Sequence, residues 1–350
     1  MNNYIAKFEL TLMVNKSAKR KTSKKQKSQK KAASKSRNRA NHSHWLRKLL
    51  VRLSIAIVVI GGIYYFSPFE IRAKMEGVAL SIINTPRTHG AMPTLITPIL
   101  DSLYDTIPSS SGMVVEGGEL GRDQDSPFLA GIPNSRKPIR PLLQASYVNL
   151  FNERSQQAAC IAIRFDDSKR KKANTGDSIQ IDARIPRLSA QAMTLGEWLP
   201  KPLAPTKALI GQYGERGAID AQLATNYSPM TETYADGVWR KVMHEFTQRY
   251  PKRFGEVWVY LGPAYLPESS KFGSGISLPD AFYIIALDLT DEGGLRALAL
   301  LIPTDAESKN LNDYLSSITQ IEKLTGLQFL PELDFSIRDT IGNYVSPVVW

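Results

Sequence analysis

Residues 256–265 read EVWVYLGPAY, and this stretch decides the fold. Apolar, aromatic and β-branched residues run together from Val257 to Leu261 and stop at Gly262-Pro263, which predicts a strand closed by a breaker. Two similar runs follow, DAFYIIALDL (280–289) and LRALALLIP (295–303), around a turn at Asp291–Gly294. Upstream, LLQASYVNLF (142–151) and AACIAIRF (158–165) form another strand pair around a turn at Asn152–Gln157. Between the two groups the period changes. From Ala235 to Tyr250, Val238, Trp239, Val242, Met243 and Phe246 recur at helical spacing and predict a helix with one buried face. Leu311–Leu324 predicts a closing helix stopped by Gly326. The reading is an α+β domain over 141–335 with a central, mainly antiparallel sheet, and 336–350 as a C-terminal tail.

The formal charge of +11 on 350 residues invites a nucleic-acid reading, but its distribution argues otherwise. Residues 1–48 hold 15 Lys and Arg against the single acid Glu9, a net of +14, so the remainder carries −3. The body of the protein is not basic. The first 48 residues have almost nothing to bury and read as a disordered basic tail. Cys160 is the only cysteine, which excludes an intrachain disulfide and a thiolate metal cluster.

Leu53–Phe66 (LSIAIVVIGGIYYF) is free of charge, and extending it to 49–69 gives about the length a bilayer core of ~30 Å requires. Arg52 stands at one end and Tyr64, Tyr65 and Phe66 at the other, as at membrane–water boundaries. The positive-inside rule then places the basic tail in the cytoplasm and the carboxy-terminal domain outside it, as a single-pass membrane protein. Residues 70–140 read as a stalk or linker with short amphipathic stretches near 69–83 and 94–104, followed by a Ser/Gly/Pro-rich run.

Taken in order, EVWVYLGPAY, ISLPDAFYIIALDL (276–289), ALALLIP and YLSSITQIEKLTGLQFLPEL (314–333) resemble the second half of the DNA/RNA non-specific endonuclease family, the endonuclease G-like, ββα-metal nucleases. YVNLFNERSQQAACIAIRF (147–165) is similar to that family's first hairpin. The resemblance implies a ββα-metal nuclease-like domain over about 141–335. It also implies where chemistry belongs: a DRGH motif, an Asn, and a Glu further along the Asn's helix. The His serves as general base, the Asn oxygen holds a hydrated divalent cation, and the Glu steadies the metal's water shell.

Two anchors locate those positions. Leu203-Ala204-Pro205 matches the continuation "DRGH-LAP", and TNYSP (225–229) matches the "sN..PQ" element before the metal helix. Where the family has DRGH, this chain has Leu199-Pro200-Lys201-Pro202, so Pro202 stands at the base position. The Asn position, ahead of G-x-W, is Ala235, and the Glu position is Met243. Proline has no titratable group, alanine has no ligand atom, and a thioether suits hydrated Mg²⁺ poorly. A rival placement of DRGH on Glu215-Arg216-Gly217-Ala218 leaves too few residues before Asn226 and is rejected; it too lacks the base.

Other residues offer fallbacks. His244, beside Glu245 and one position after Met243, reads as a surface or capping residue, and Asp236 adjoins the vacated Asn position. His42, His44 and His89 lie outside the domain. The run Lys169-Arg170-Lys171-Lys172 reads as a solvated loop, with phosphate contact as the functional alternative. The leading expectation is a membrane-anchored pseudonuclease, a binding or structural module with no cofactor. An active metal-dependent nuclease using Asp236, His244 and Glu245, with Mg²⁺, is the alternative. A third reading is an envelope structural protein. The partners implied are the membrane and either nucleic acid or an envelope protein.

Overall fold

The computed structural model describes residues 126–350 apart from 169, 177, 267, 268, 270, 272, 273 and 291–293; ahead of these it describes 48, 50–52, 54–67, 75, 79, 115 and 116. The basic tail up to 47, most of the expected stalk, His42, His44, His89, Lys169 and most of the turn at 291–294 lie outside the described residues.

The chain divides into two units, Met1–Pro68 and Phe69–Trp350. In the first, residues 54–66 are helical, and Ile55, Ile57, Val58, Val59, Ile60, Ile63, Tyr65 and Phe66 are exposed. The expected span over 49–69 is described only in part, and among the described residues no helix is long and apolar enough to cross a membrane.

The second unit is built on one antiparallel sheet. Its strands are β1 (Val115–Glu116), β3 (Arg140–Leu143), β4 (Val148–Asn152), β5 (Gln157–Asp166), β8 (Glu256–Ala264), β9 (Ala281–Leu289) and β10 (Gly294–Pro303), in the order β1-β10-β9-β8-β5-β4-β3. β11 (Leu315–Ser316) pairs with β10 off this path. Two small ribbons stand apart, β2 (Asn134–Ser135) with β12 (Leu327–Gln328), and β6 (Trp198–Pro202) with β7 (Tyr227–Thr231).

Successive side chains of a strand point to opposite faces, and here both faces are covered. Ile161, Ile163, Val257, Val259, Ile284 and Leu298 share one core cluster; Cys160, Ala162, Trp258, Tyr260, Ile285 and Ala297 share another. Burial on both sides explains why the strands read as unbroken apolar runs instead of alternating ones. Gly262-Pro263 does not end the strand as expected, since both pair with β9 and β8 runs on to Ala264. The glycine is required by close approach, as a Cβ there would come 2.6 Å from the Ala159 carbonyl oxygen of the neighbouring strand.

The helices follow as α1 (Thr206–Tyr213) and α2 (Glu215–Ala221), then α3, the helical run that begins with Glu232–Tyr234 and ends with Tyr250–Phe254, and finally α4 (Ile318–Thr325) and α5 (Phe335–Asn343). α3 lays Val238, Trp239, Val242, Phe246 and Tyr250 on the first face of the sheet, as its periodicity predicts. α4 and α5 cover the second face with Ile318, Ile321 and Ile341. The expected closing helix over 311–324 is divided. Leu311–Tyr314 is a single 3₁₀ turn, Leu315–Ser316 pairs with β10, and Ser317 starts α4 by accepting a hydrogen bond from the Gln320 amide at 3.1 Å. A serine at the N-cap satisfies one of the amide donors that a helix's first turn leaves without an intrahelical acceptor, so the helix begins there.

Two boundaries differ from the sequence reading. Leu129 and Ala130 are buried, and the Tyr260 hydroxyl accepts from the Leu129 amide at 2.6 Å, so the folded unit takes in residues ahead of 141. Nor is 336–350 a tail: it holds most of α5 and ends in Trp350, which is fully buried against Tyr250 and Phe254.

Candidate functional site

The two sequence anchors meet in space. The Leu203 amide donates to the Asn226 carbonyl at 2.7 Å, and the Ala204 amide to the Asn226 side-chain oxygen at 2.9 Å. Asn226 Nδ2 returns hydrogen bonds to the carbonyls of Ala204 at 3.0 Å and Ala221 at 3.2 Å. Asn226 is fully buried, so these bonds form away from water, where leaving them unmade is costly. They fix the end of β6 against the start of β7, with Pro202 opposite Tyr227 in the ribbon. α3 then crosses behind, and Trp239 Nε1 donates to the Pro202 carbonyl at 3.4 Å.

The result is a cleft of about 450 Å³ between the end of β6, the start of α1 and one side of α3. Pro202 from β6 and Ala235 and Met243 from α3 all line it. Asp236 and His244 line it as well, both exposed to solvent. Glu245 does not: it is buried, with its carboxylate 3.7 Å from Arg249 Nε on the other side of the helix. Of the three fallback residues the fold therefore gathers two.

A divalent cation is the group this fold family implies, and the donor set here does not suit it. Among the described residues no group of three or more His, Cys, Asp or Glu could hold a metal ion. In the cleft, Pro202, Ala235 and Met243 offer a pyrrolidine ring, a methyl group and a thioether, none of them a ligand for a hydrated divalent cation.

One feature of α3 was not legible in the sequence. The helix is kinked at Gly237, whose φ −90° and ψ −110° are not helical. Further on, its bonds widen to a π turn at Glu245–Arg249, which inserts one extra residue and rotates the remainder of the helix by roughly 100°. Gly237, two residues after Ala235, was the available signal for the kink.

Arg170, Lys171 and Lys172 of the basic run are exposed, as a solvated loop would be, but the run is tethered: the Arg170 guanidinium donates to Gln212 Oε1 at 3.2 Å and to the Thr247 carbonyl at 3.3 Å. The Lys171 amide donates to the Gly211 carbonyl at 2.7 Å, tying the loop to α1. Lys171 and Lys172 line a second hollow together with Arg216 from α2. The rejected Glu215-Arg216-Gly217-Ala218 segment is that helix. A Cβ on Gly217 would lie 2.1 Å from the Leu209 carbonyl oxygen, so the glycine serves the close packing of α2 on α1.

A sheet covered by helices on both faces, with a cleft where one helix meets a β ribbon, defines an α+β domain of nuclease-like architecture. Comparison with known proteins makes this specific. Residues 211–336 match the model of the DNA/RNA non-specific endonuclease family, which bears out the resemblance read from the sequence. The matched segment includes Ala235 and Met243 and starts after Pro202. The human protein named "Nuclease EXOG, mitochondrial" is 24% identical over 139 residues, 35% of this chain and 38% of that one. "Nuclease C1" of Cunninghamella echinulata var. echinulata is 25% identical over 131 residues, 34% of this chain and 51% of that one. The Xenopus laevis "Nuclease EXOG, mitochondrial" is 27% identical over 126 residues, 31% and 35% of the two chains. This chain thus spans between about a third and a half of the length of those relatives. It is an endonuclease-like protein.

Proposed function

We propose that this chain is a pseudonuclease, an endonuclease-like scaffold that binds without cutting. The observation that carries the reading is the convergence of Pro202, Ala235 and Met243 on one cleft. Loss of a general base alone costs roughly 10²–10⁴ in rate. Loss of the cation's ligand removes, in addition, the charge stabilisation on which phosphodiester cleavage chiefly depends. Asp236 and His244 fall short of a replacement on this reading, since Glu245 is buried beside Arg249 and, among the described residues, no group of three His, Cys, Asp or Glu could hold a metal ion. Titration of the full chain with Mn²⁺, followed by the ion's paramagnetic resonance, is expected to show no stoichiometric site. A bound ion lost on Asp236→Ala or His244→Ala would establish the relocated metal site instead.

The scaffold is proposed to be membrane-anchored, with the amino terminus cytoplasmic and the carboxy-terminal domain on the other side. The support is the exposed apolar helix over 54–66, preceded by a segment of net charge +14. Protease added outside intact cells or spheroplasts is expected to degrade the carboxy-terminal domain. A domain that stays protected until the membrane is permeabilised contradicts this orientation.

A further inference from the structure

A second hollow lies at the far end of α1 from the cleft. It measures about 490 Å³, and Lys171, Lys172 and Arg216 line it beside a single acid, Glu215. Among the described residues, none of the three cationic side chains is held by a carboxylate. Three like charges kept together with so little neutralisation leave a positive potential that an anion relieves.

The surrounding structure tethers the loop that carries the lysines. The Lys171 amide is bonded to Gly211, the Arg170 guanidinium reaches Gln212 and Thr247, and Gln212 Nε2 donates to Ser168 Oγ at 3.3 Å. The loop backbone therefore loses less freedom on binding than an untethered one would. At the floor, Gly214 has φ +67°, a conformation other residues rarely adopt, and a Cβ there would lie 3.4 Å from Lys171 Cδ. The glycine serves the sharp turn from α1 into α2. The Tyr213 hydroxyl donates to the Arg164 carbonyl at 2.6 Å, so the ring forms a wall and is not a donor to the ligand.

We infer that this hollow is a phosphate subsite, separate from the cleft, that holds the backbone of a single nucleic-acid strand. The choice of ligand class rests on the endonuclease-like reading above. The choice of a strand over an isolated phosphate rests on α1. Its first residues line the cleft and its last line the hollow, and its eight residues rise about 12 Å. Arg170 lies between the two sites, reaching Thr247, which lines the cleft, while Lys171 beside it lines the hollow. The cleft rim itself carries Lys201, Lys207 and Arg240. Regularly spaced phosphates can engage both ends of this basic track, whereas a free phosphate or one lipid headgroup occupies a single end.

The test uses the full chain in detergent micelles and reads lysines individually, so the basic tail does not mask the result. Amine acylation at Lys171 and Lys172 is measured by mass spectrometry with an oligothymidylate of about 20 nucleotides, longer than one site requires. Inorganic phosphate at equal phosphate concentration and anionic phospholipid vesicles serve as separate arms. Several-fold protection by the oligonucleotide, weakened in Arg216→Gln and absent in the other two arms, is the expected result. The combined Lys171→Gln, Lys172→Gln, Arg216→Gln variant should lower the slope of log affinity against log salt by about 2, since each phosphate contact on a single strand contributes ~0.7. Unchanged acylation with the oligonucleotide, protection by vesicles alone, or equal protection by free phosphate overturns the inference. Because the readout is binding, any of these leaves the absence of cleavage standing as a separate question.

Discussion

Asp288→Ala is expected to cost about 3–5 kcal/mol of folding stability, measured as a lower midpoint in urea denaturation of the full chain. Asp288 on β9 faces Arg296 on β10 directly across the ladder and is 1% exposed. Arg296 Nε donates to its carboxylate at 2.8 Å, and the guanidinium lies over the rings of Phe254, at 4.5 Å, and Trp350, at 5.7 Å. Removing the carboxylate leaves a buried cation with aromatic faces as partial compensation, which is why the cost is large without abolishing the fold. Replacing both partners with apolar residues, as in Asp288→Leu with Arg296→Met, should recover most of the loss. If Asp288→Ala unfolds at the same midpoint as the parent, the pair is not the strut described.

Trp350→Ala should be similarly costly, about 3–5 kcal/mol, although it alters the last residue of the sequence. The indole is fully buried, with ring centroids 5.6 Å from Tyr250 and 5.3 Å from Phe254. Those two residues are the carboxy-terminal turn of α3, the element that carries Ala235 and Met243 into the cleft. The two substitutions share Arg296, and Trp350 supplies part of the compensation left to it without Asp288, so the double variant should lose more than the sum of the single losses. A midpoint for Trp350→Ala within experimental scatter of the parent would mean that the carboxy terminus does not brace this helix.

The features legible in the sequence are those with local signals. β8, β9 and β10 stood out because both sheet faces are covered and almost every residue in them is apolar. α3 stood out because only one of its sides is buried. The cleft positions came from anchors at Leu203-Ala204-Pro205 and Thr225-Asn226, which the buried Asn226 bonds bring together. The rest depends on contacts distant in sequence. Nothing around Trp350 distinguishes a buried indole from an exposed one until Tyr250 and Phe254 are beside it. The run at 311–324 has helical spacing, and only the pairing of Ser316 with Ala299 of β10 shows why it divides. Arg170 to Lys172 read as a solvated loop and are exposed; the tethers on Arg170 and Lys171 were not legible because Gly211, Gln212 and Thr247 lie about 40 to 77 residues away in the chain. Arg216 was considered only as part of a false catalytic motif, whereas its place in the fold is beside those lysines.

The central claim is that an endonuclease-like domain has vacated its chemistry at three positions that share one cleft. The direct measurement is a cleavage assay on the full chain, with supercoiled plasmid and single-stranded RNA, in Mg²⁺ and in Mn²⁺, each beside a chelated control. The account predicts no difference between metal and chelator for either substrate. Metal-dependent cleavage that disappears on Asp236→Ala or His244→Ala would contradict it.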